Sequence, residues 1–186
     1  MKGFIWLGVI LVIVLAIGAG IWGMYNSLVT KEQAIEGQWA QVETQYQRRY
    51  DLIPNLVNSV KGYMTQEKTI FEDIANARSR YAGATTTDEK AIASGEVEGA
   101  LARLLAIMEN YPNLRSIEAI TSLMDELAGT ENRISVERRR YNETVLDYNT
   151  AIKTFPRNML AGMFGFSAHE YFKSVSSADE VPKVEF

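Results

Sequence analysis

The chain opens with a long apolar run and then changes to a regular alternation of apolar and polar positions. The run, Phe4–Tyr25, contains no charged residue. At about 1.5 Å per residue it would form a helix of roughly 33 Å, which matches the ~30 Å hydrocarbon core of a bilayer. Trp6 near one end, and Trp22 and Tyr25 near the other, suit the two aromatic belts of a membrane helix. The run predicts one N-terminal transmembrane helix over residues 4–25, preceded by a short flank, residues 1–3.

A cleaved signal peptide is the alternative interpretation of this run. Its apolar region would span about 7–15 residues and end in a small-x-small cleavage site. Ala16-Ile17-Gly18 fits such a site, but the apolar run continues well beyond it, which favours a retained single-pass anchor. Lys2 and Lys31 flank the two ends, so the charge bias that sets orientation is balanced and the side of the membrane stays open.

Beyond the anchor, apolar residues recur at alternating steps of three and four, the heptad pattern of packed helices. The first series comprises Ile35, Trp39, Val42, Tyr46, Arg49, Ile53, Leu56, Val60 and Tyr63. The last comprises Ile117, Ile120, Met124, Leu127, Glu131, Ile134, Arg138, Tyr141, Val145, Tyr148, Ile152 and Phe155. Two shorter amphipathic stretches lie between them, and no stretch alternates with the period of two that strands show. The pattern therefore predicts an all-α protein.

Loop residues divide the predicted bundle, residues 26–157, into four helices. The loop Gly83–Thr87 separates the second helix from the third, with Thr87 as the expected N-cap. Pro112 marks the break before the last helix, with Asn113 as the expected N-cap. Because short connections reverse the direction of neighbouring helices, we expect an antiparallel up-and-down four-helix bundle with long first and last helices.

The end of the first helix allows two interpretations. Asp51 and Pro54 resemble an N-cap and a first-turn proline, so the first helix ends near Tyr50. Alternatively, the helix is kinked at Pro54 and continues to about Tyr63, since Lys61-Gly62 also resembles a helix end. The second interpretation is favoured because it matches the length of the last helix.

Arg49, Glu131 and Arg138 occupy seam positions that are otherwise apolar. In an antiparallel pair of the first and last helices, Glu131 falls opposite Tyr46, one turn from Arg48 and Arg49. A buried charge without a partner is costly, so we expect Glu131 to contact Arg48 or Arg49. These polar residues either fix the register of the helices, which is the favoured interpretation, or form a ligand or proton site inside the bundle.

Tyrosine is followed by asparagine at three places, which are Tyr25-Asn26, Tyr141-Asn142 and Tyr148-Asn149. The last two pairs are one heptad apart, so their rings lie on the same seam. Each asparagine is expected to offer the neighbouring tyrosine hydroxyl a hydrogen-bond partner, which predicts a polar-aromatic layer in the core.

Apolar residues are concentrated in Asn158–Phe166, just after the break at Phe155-Pro156. The segment, residues 158–173, is expected to be membrane-proximal through Met159, Leu160, Met163, Phe164 and Phe166. It either lies in the membrane interface beside the anchor or folds back to cap the bundle core. His169-Glu170 is expected to be a surface pair, and residues 174–186 a flexible polar tail.

Composition restricts the chemistry that these helices can perform. The chain has no cysteine and a single histidine, so thiolate catalysis and zinc fingers are excluded and a transition-metal site is disfavoured. No catalytic residue, metal ligand or cofactor is predicted. The net charge of −4 argues against a nucleic-acid partner.

Several motifs also carry a resemblance to a known family. They are Tyr25-Asn26-Ser27-Leu28-Val29, Gln38-Trp39-Ala40-Gln41-Val42, Val60-Lys61-Gly62-Tyr63, Glu109-Asn110-Tyr111-Pro112, Arg139-Arg140-Tyr141-Asn142 and, above all, Arg48-Arg49-Tyr50-Asp51-Leu52-Ile53-Pro54-Asn55-Leu56-Val57. With them the chain resembles the LemA family of bacterial membrane-anchored proteins. The resemblance implies a single-pass protein with a helical bundle and no established biochemical function, and the cytoplasmic side has been suggested for the bundle.

Three classes of function remain to be compared. We expect a protein-interaction or scaffold module at the bacterial cytoplasmic membrane, with the lipid bilayer and an unidentified protein as partners. A small-ligand or lipid carrier with a polar site inside the bundle is the second hypothesis. An enzyme is the third: the absence of a nucleophile motif and of Glu-x-x-His pairs argues against this class and leaves a carboxylate-based enzyme as its remaining form.

Overall fold

A computed structural model describes residues 2–172 of the chain. In this part the backbone forms five α-helices and one 3₁₀ helix and contains no strand, which confirms the all-α prediction. The elements are α1 (Lys2–Lys61), α2 (Lys68–Gly83), α3 (Thr87–Met108), the 3₁₀ helix (Pro112–Ser116), α4 (Glu118–Lys153) and α5 (Arg157–Phe164). The predicted tail, residues 174–186, lies outside the described residues.

Helix α1 contains both the predicted anchor and the first bundle helix. Its most apolar stretch has a mean hydropathy of 2.8, and none of that stretch is buried. Among the described residues, α1 is the one helix long and apolar enough to cross a membrane. It continues through Pro54 and ends at Lys61, so an end near Tyr50 is wrong. Tyr63, the last residue of the first seam, lies beyond the helix and is exposed.

The chain divides into two compact units. We call the unit built from Val42–Arg138, with Phe172, the four-helix unit. Its hydrophobic core receives side chains from four helices, among them Ile53 and Leu56 of α1, Ile70 and Ile74 of α2, Val97 and Leu104 of α3, and Ile120 and Leu127 of α4. Burial of these heptad positions produces the predicted bundle-like packing.

The second unit, which we call the anchor unit, contains α1 up to Gln41 and Arg139–Tyr171. Its buried residues come from three helices and are Leu28, Ile35, Tyr141, Val145, Tyr148, Asn149, Ala151, Ile152, Leu160 and Ala161. Lys31 pairs with Asp147, and the Trp39 ring lies 5.6 Å from that of Tyr141. Residues later in α1 therefore contact residues earlier in α4, so the two helices are antiparallel as predicted.

The N-caps differ from the predicted ones. Thr86, not Thr87, caps α3: its hydroxyl accepts the Glu89 N–H, and the Glu89 carboxylate accepts the Thr86 N–H, which is a capping box. Asn113 does not cap α4, because it lies inside the 3₁₀ helix and α4 begins at Glu118. Both breaks were placed correctly, but their side-chain geometry depends on one or two residues that the pattern does not resolve.

The capping box allows a test with two neighbouring threonines. Thr86→Ala is expected to lower the free energy of unfolding by about 1 kcal/mol, because the first turn of α3 loses the acceptor for one N–H. Thr87→Ala removes a hydroxyl with no capping role and should change stability by less than about 0.5 kcal/mol. Urea unfolding followed by circular dichroism measures both variants. Equal losses would contradict the assignment of Thr86 as the cap.

The stretch after α4 folds into the short helix α5. Phe155, the last residue of the second seam, is exposed because α4 already ends at Lys153. Helix α5 ends at Phe164, and the next residue, Gly165, caps it with a left-handed φ of 79° that favours glycine. The following Phe166 N–H donates to the Ala161 carbonyl at 3.0 Å, which closes the last turn.

Candidate functional sites

Arg49 is the most buried charged residue described in the four-helix unit, with 2% of its surface exposed. The heptad pattern of α1 turns it inward, between Tyr46 and Ile53, because both seam neighbours are buried. One guanidinium nitrogen, Nη1, donates to Glu131 Oε2 at 2.8 Å. The other, Nη2, donates to the Ser94 carbonyl at 2.9 Å and to the Ser94 hydroxyl. The prediction that Glu131 contacts Arg48 or Arg49 is therefore confirmed, with Arg49 as the partner.

A second arginine joins this group from α4. Arg138 Nε donates to the Tyr46 hydroxyl at 3.1 Å, and both of its Nη atoms lie 3.4 Å from Glu98 Oε2. The same Glu98 oxygen is 3.8 Å from Arg49 Nη1. We call the group of Tyr46, Arg49, Ser94, Glu98, Glu131 and Arg138 the arginine cluster. Both cations contact the carboxylate of Glu98, and Arg49 also contacts that of Glu131; the two carboxylates are 44% and 40% exposed.

Aromatic rings complete the arginine cluster. The Tyr46 ring centroid is 5.5 Å from the Arg49 guanidinium and 5.4 Å from that of Arg138, so both cations contact one ring. The Arg138 guanidinium also lies 4.7 Å from the ring of Phe172. Tyr81 meets Tyr46 edge-on at 6.0 Å. Stacking and hydrogen bonds together hold each guanidinium in one orientation.

Burial and nearby charge shift the protonation equilibria around the cluster. Burial, helped by the negative charge of Glu43, raises the pKa of Tyr81 to about 12, so the phenol stays neutral. Burial of Arg138 disfavours its charged form. Tyr46, Glu98 and Glu131 outweigh that burial and raise the pKa of Arg138, so it stays charged. Neither Tyr81 nor Arg138 is therefore prepared to exchange a proton near neutral pH.

The arginine cluster leaves almost no room for a ligand. The cavity lined by Tyr46, Arg49, Tyr81, Ser94 and Val97 measures about 10 Å³. A single water needs roughly that volume, and an organic ligand needs several hundred Å³. The geometry therefore supports the interpretation that these charges fix helix register, and it disfavours a ligand site at this place.

Sequence reasoning missed two members of the cluster and one detail of register. Arg48 is exposed and bonds Glu126 at 3.3 Å, so it lies outside the cluster. Glu131 faces Arg49 itself, one turn from the predicted level at Tyr46. Ser94 was missed, although stepping back by three from the apolar position Val97 reaches it. Glu98, one turn further along α3, was missed as well.

Four residues of the anchor unit form a second polar group, which we call the His169 network. The Tyr148 hydroxyl donates to Glu32 Oε1 at 3.3 Å, and burial together with Glu32 raises the pKa of Tyr148 to about 12. The Asn149 side chain makes two hydrogen bonds to the backbone of His169: Nδ2 donates to the carbonyl at 2.9 Å, and Oδ1 accepts the N–H at 3.0 Å. The His169 ring stands edge-on to Tyr148 at 5.2 Å, with Nε2 3.7 Å from Glu32 Oε1.

The His169 network corrects two expectations. Asn149 does not serve the Tyr148 hydroxyl, since that hydroxyl bonds Glu32 and the amide bonds His169 instead. His169 is not a simple surface residue, because Asn149 and Tyr148 hold it against α4. Among the other polar-aromatic pairs, Tyr141 packs on Trp39 and Asn142 is half-buried. The backbone carbonyl of Asn26 accepts a hydrogen bond from the Thr30 hydroxyl at 2.8 Å.

The predicted membrane-proximal residues divide between the core and the surface. Leu160 is buried in the anchor unit, whereas Met159, Met163 and Phe164 are exposed. Phe164 and the half-buried Phe166 contact the Tyr25 ring, with centroids 4.9 and 5.7 Å apart. One side of α5 therefore packs into the core, as the second alternative expected, and the other side is exposed.

Residues 2–172 show two further features that bear on function. Within this range no group of three or more His, Asp or Glu side chains is placed to hold a metal ion. An open recess of about 460 Å³ lies at the α2–α3 turn, lined by Arg80, Gly83, Ala84, Thr85, Glu89, Ile92, Ala93 and Glu96. Ile92, one of the lining residues, is 65% exposed and contributes apolar surface to this recess.

An unburied apolar stretch in a helix that continues into a packed helical body is typical of membrane-associated all-α proteins. The chain belongs to the LemA family, whose family model matches residues 38–186. It is 29% identical to magnetosome protein MamQ 2 of Paramagnetospirillum magneticum, over 83% of this chain and 66% of that relative. It is 22% identical to protein LemA of Metamycoplasma hominis, over 88% of this chain and 73% of that relative. The chain thus spans just under two thirds of the MamQ relative.

Proposed function

We propose that this chain is a non-catalytic, single-pass protein of the bacterial cytoplasmic membrane whose helical body binds another protein. The observation that carries the proposal is the contrast within α1. Its apolar stretch is unburied, whereas Leu28 and Ile35 further along the same helix are buried. An apolar stretch of this length that finds no partner in its own chain is stabilised by lipid.

The arginine cluster supports the non-catalytic part of the proposal. A catalytic site combines a substrate-sized cavity with polar groups that are free to meet the substrate. Here the donors of Arg49 meet Ser94 and Glu131, and the cavity beside them holds about 10 Å³. This arrangement also argues against a carrier that binds its cargo at the cluster.

The recess at the α2–α3 turn supports the protein-binding part. Ile92 is exposed there among side chains of both charge signs, namely Arg80, Glu89 and Glu96. An apolar centre with a charged rim is the usual anatomy of a protein interface. The net charge of −4 favours a protein over a nucleic acid as the partner.

Site-specific photocrosslinking in living cells tests this function. A photoreactive phenylalanine analogue replaces Ile92 of the full chain, and the matched control carries it at Leu146 of α4, where the native side chain is 55% exposed. We expect one discrete adduct from position 92 and none of the same mass from position 146. No adduct at position 92, or the same adducts from both positions, would contradict a partner at the recess.

The intact mass of the membrane-extracted chain, measured in the same preparation, tests the anchor. We expect a mass that includes residues 4–25. A chain that begins shortly after Gly18 would show that the apolar run is a cleaved leader and would remove the membrane part of the proposal.

A further inference from the structure

We infer that the exposed side of α5 lies in the lipid interface beside the anchor, so that the chain contacts the bilayer at two places. We call Met159, Met163 and Phe164 the α5 apolar face. The inference rests on the membrane anchoring proposed for α1, but it assigns a lipid-contacting role to a different helix, far from α1 in the sequence.

Helix α5 has one buried side and one exposed side. Leu160 and Ala161 are buried in the anchor unit, so the unit already holds one side of the helix. Met159 and Met163 lie one turn apart, are 66% and 69% exposed, and need another apolar environment. Residues 158–168 contain no charge, which suits a segment at the boundary of the acyl chains.

Ring contacts with Tyr25 hold α5 at the same height along α1 as the end of the predicted span. Tyr25 is the last residue of the predicted span, Phe4–Tyr25, and is one of the aromatic residues expected at its interface. The rings of Phe164 and Phe166 lie 4.9 and 5.7 Å from the Tyr25 ring. Trp22, one turn earlier on α1, is exposed. A bilayer that surrounds Trp22 therefore continues onto the surface that α5 presents beside Tyr25.

The charged groups around α5 agree with this placement. Lys153 precedes the helix and Arg157 begins it, so both cations are next to the apolar stretch rather than within it. Cations at this position reach phosphate groups while the neighbouring apolar side chains enter the acyl boundary. The occupant of the α5 apolar face is thus the bilayer that holds the anchor.

Fluorescence quenching by lipids with brominated acyl chains tests the inference on the full chain in phosphatidylcholine vesicles. The background carries Trp6→Phe, Trp22→Phe and Trp39→Phe. Met163→Trp reports on the α5 apolar face, and Leu146→Trp is the control, since Leu146 is also exposed but is next to Asp147, which pairs with Lys31 beyond the span. A variant that keeps only Trp22 reports on the anchor.

We expect brominated lipid to reduce the fluorescence of Trp22 and of Met163→Trp by similar fractions, and to leave Leu146→Trp nearly unchanged. Met159→Trp is expected to repeat the Met163→Trp result and serves if that variant misfolds. Quenching of Trp22 with both α5 reporters as bright as Leu146→Trp would overturn the inference and leave anchoring intact, with protein rather than lipid covering α5. Loss of quenching at Trp22 as well would overturn both.

Discussion

Arg49→Ala is expected to lower the free energy of unfolding by about 2 to 4 kcal/mol, which is among the largest effects of any single substitution in the four-helix unit. The substitution removes a large side chain that is 2% exposed and leaves a cavity among Tyr46, Ser94 and Val97. It also deprives the Ser94 carbonyl and the Glu131 carboxylate of their donor. The loss stays below that of a fully buried pair because Glu98 and Glu131 reach water.

Arg48→Ala is the matched control, because Arg48 precedes Arg49 on the same helix but is exposed and bonds only one exposed carboxylate in the described contacts. We expect it to change stability by less than about 1 kcal/mol. Arg49→Met fills the space and leaves two hydrated carboxylates, so it should lie within about 1.5 kcal/mol of the native chain. Urea unfolding of the full chain in detergent, followed by circular dichroism, ranks the three variants. Equal effects at positions 48 and 49 would be incompatible with a structural role for the arginine cluster.

The double substitution Leu11→Arg/Leu15→Arg is expected to release most of the chain from the membrane fraction. Both residues lie in the unburied apolar stretch of α1, one turn apart on the same side of the helix. Each arginine near the centre of a span opposes insertion by about 2.5 to 3.5 kcal/mol, so the pair opposes it by roughly 5 to 7 kcal/mol. Snorkelling of the two arginine side chains does not offset this cost, because both positions lie near the centre of the predicted span.

Ile92→Arg/Leu146→Arg adds the same charge at exposed positions outside the apolar stretch and should leave membrane retention unchanged. Alkaline carbonate extraction followed by immunoblotting compares the fractions. Continued retention of the Leu11→Arg/Leu15→Arg chain would show that the apolar stretch is not what holds the protein in the membrane.

Heptad spacing, with the short connections between helices, was sufficient to predict the helices, their antiparallel pairing and a contact of Glu131 with Arg48 or Arg49. These features follow from a repeat that places the same face inward at every turn, so one residue's burial implies that of the next. The exposed Tyr63 and Phe155 show the limit of the repeat, because each lies just past the helix end where the periodic geometry stops.

The polar partners were harder to predict than the apolar ones. Ser94 and Glu98 reach Arg49 and Arg138 from a different helix, and the rotation of α3 that turns them inward is set by packing in three dimensions. His169 lies in a non-helical segment, where no period relates it to Asn149. Hydrogen bonds of this kind depend on the path of the chain after α5, which the residue pattern does not encode.

Within the anchor unit, no loop separates the span from the packed part: the helix that carries Tyr25 is the one that buries Leu28 and Ile35. A glycine- and serine-rich linker would let the packed part reorient freely above the membrane, whereas a continuous helix passes its own direction on. Hydrophobic mismatch tilts a spanning helix when the bilayer is thinner than its apolar length. Bilayer thickness would therefore set the angle between the packed part of the anchor unit and the membrane surface, and with it the side that the proposed partner protein would meet.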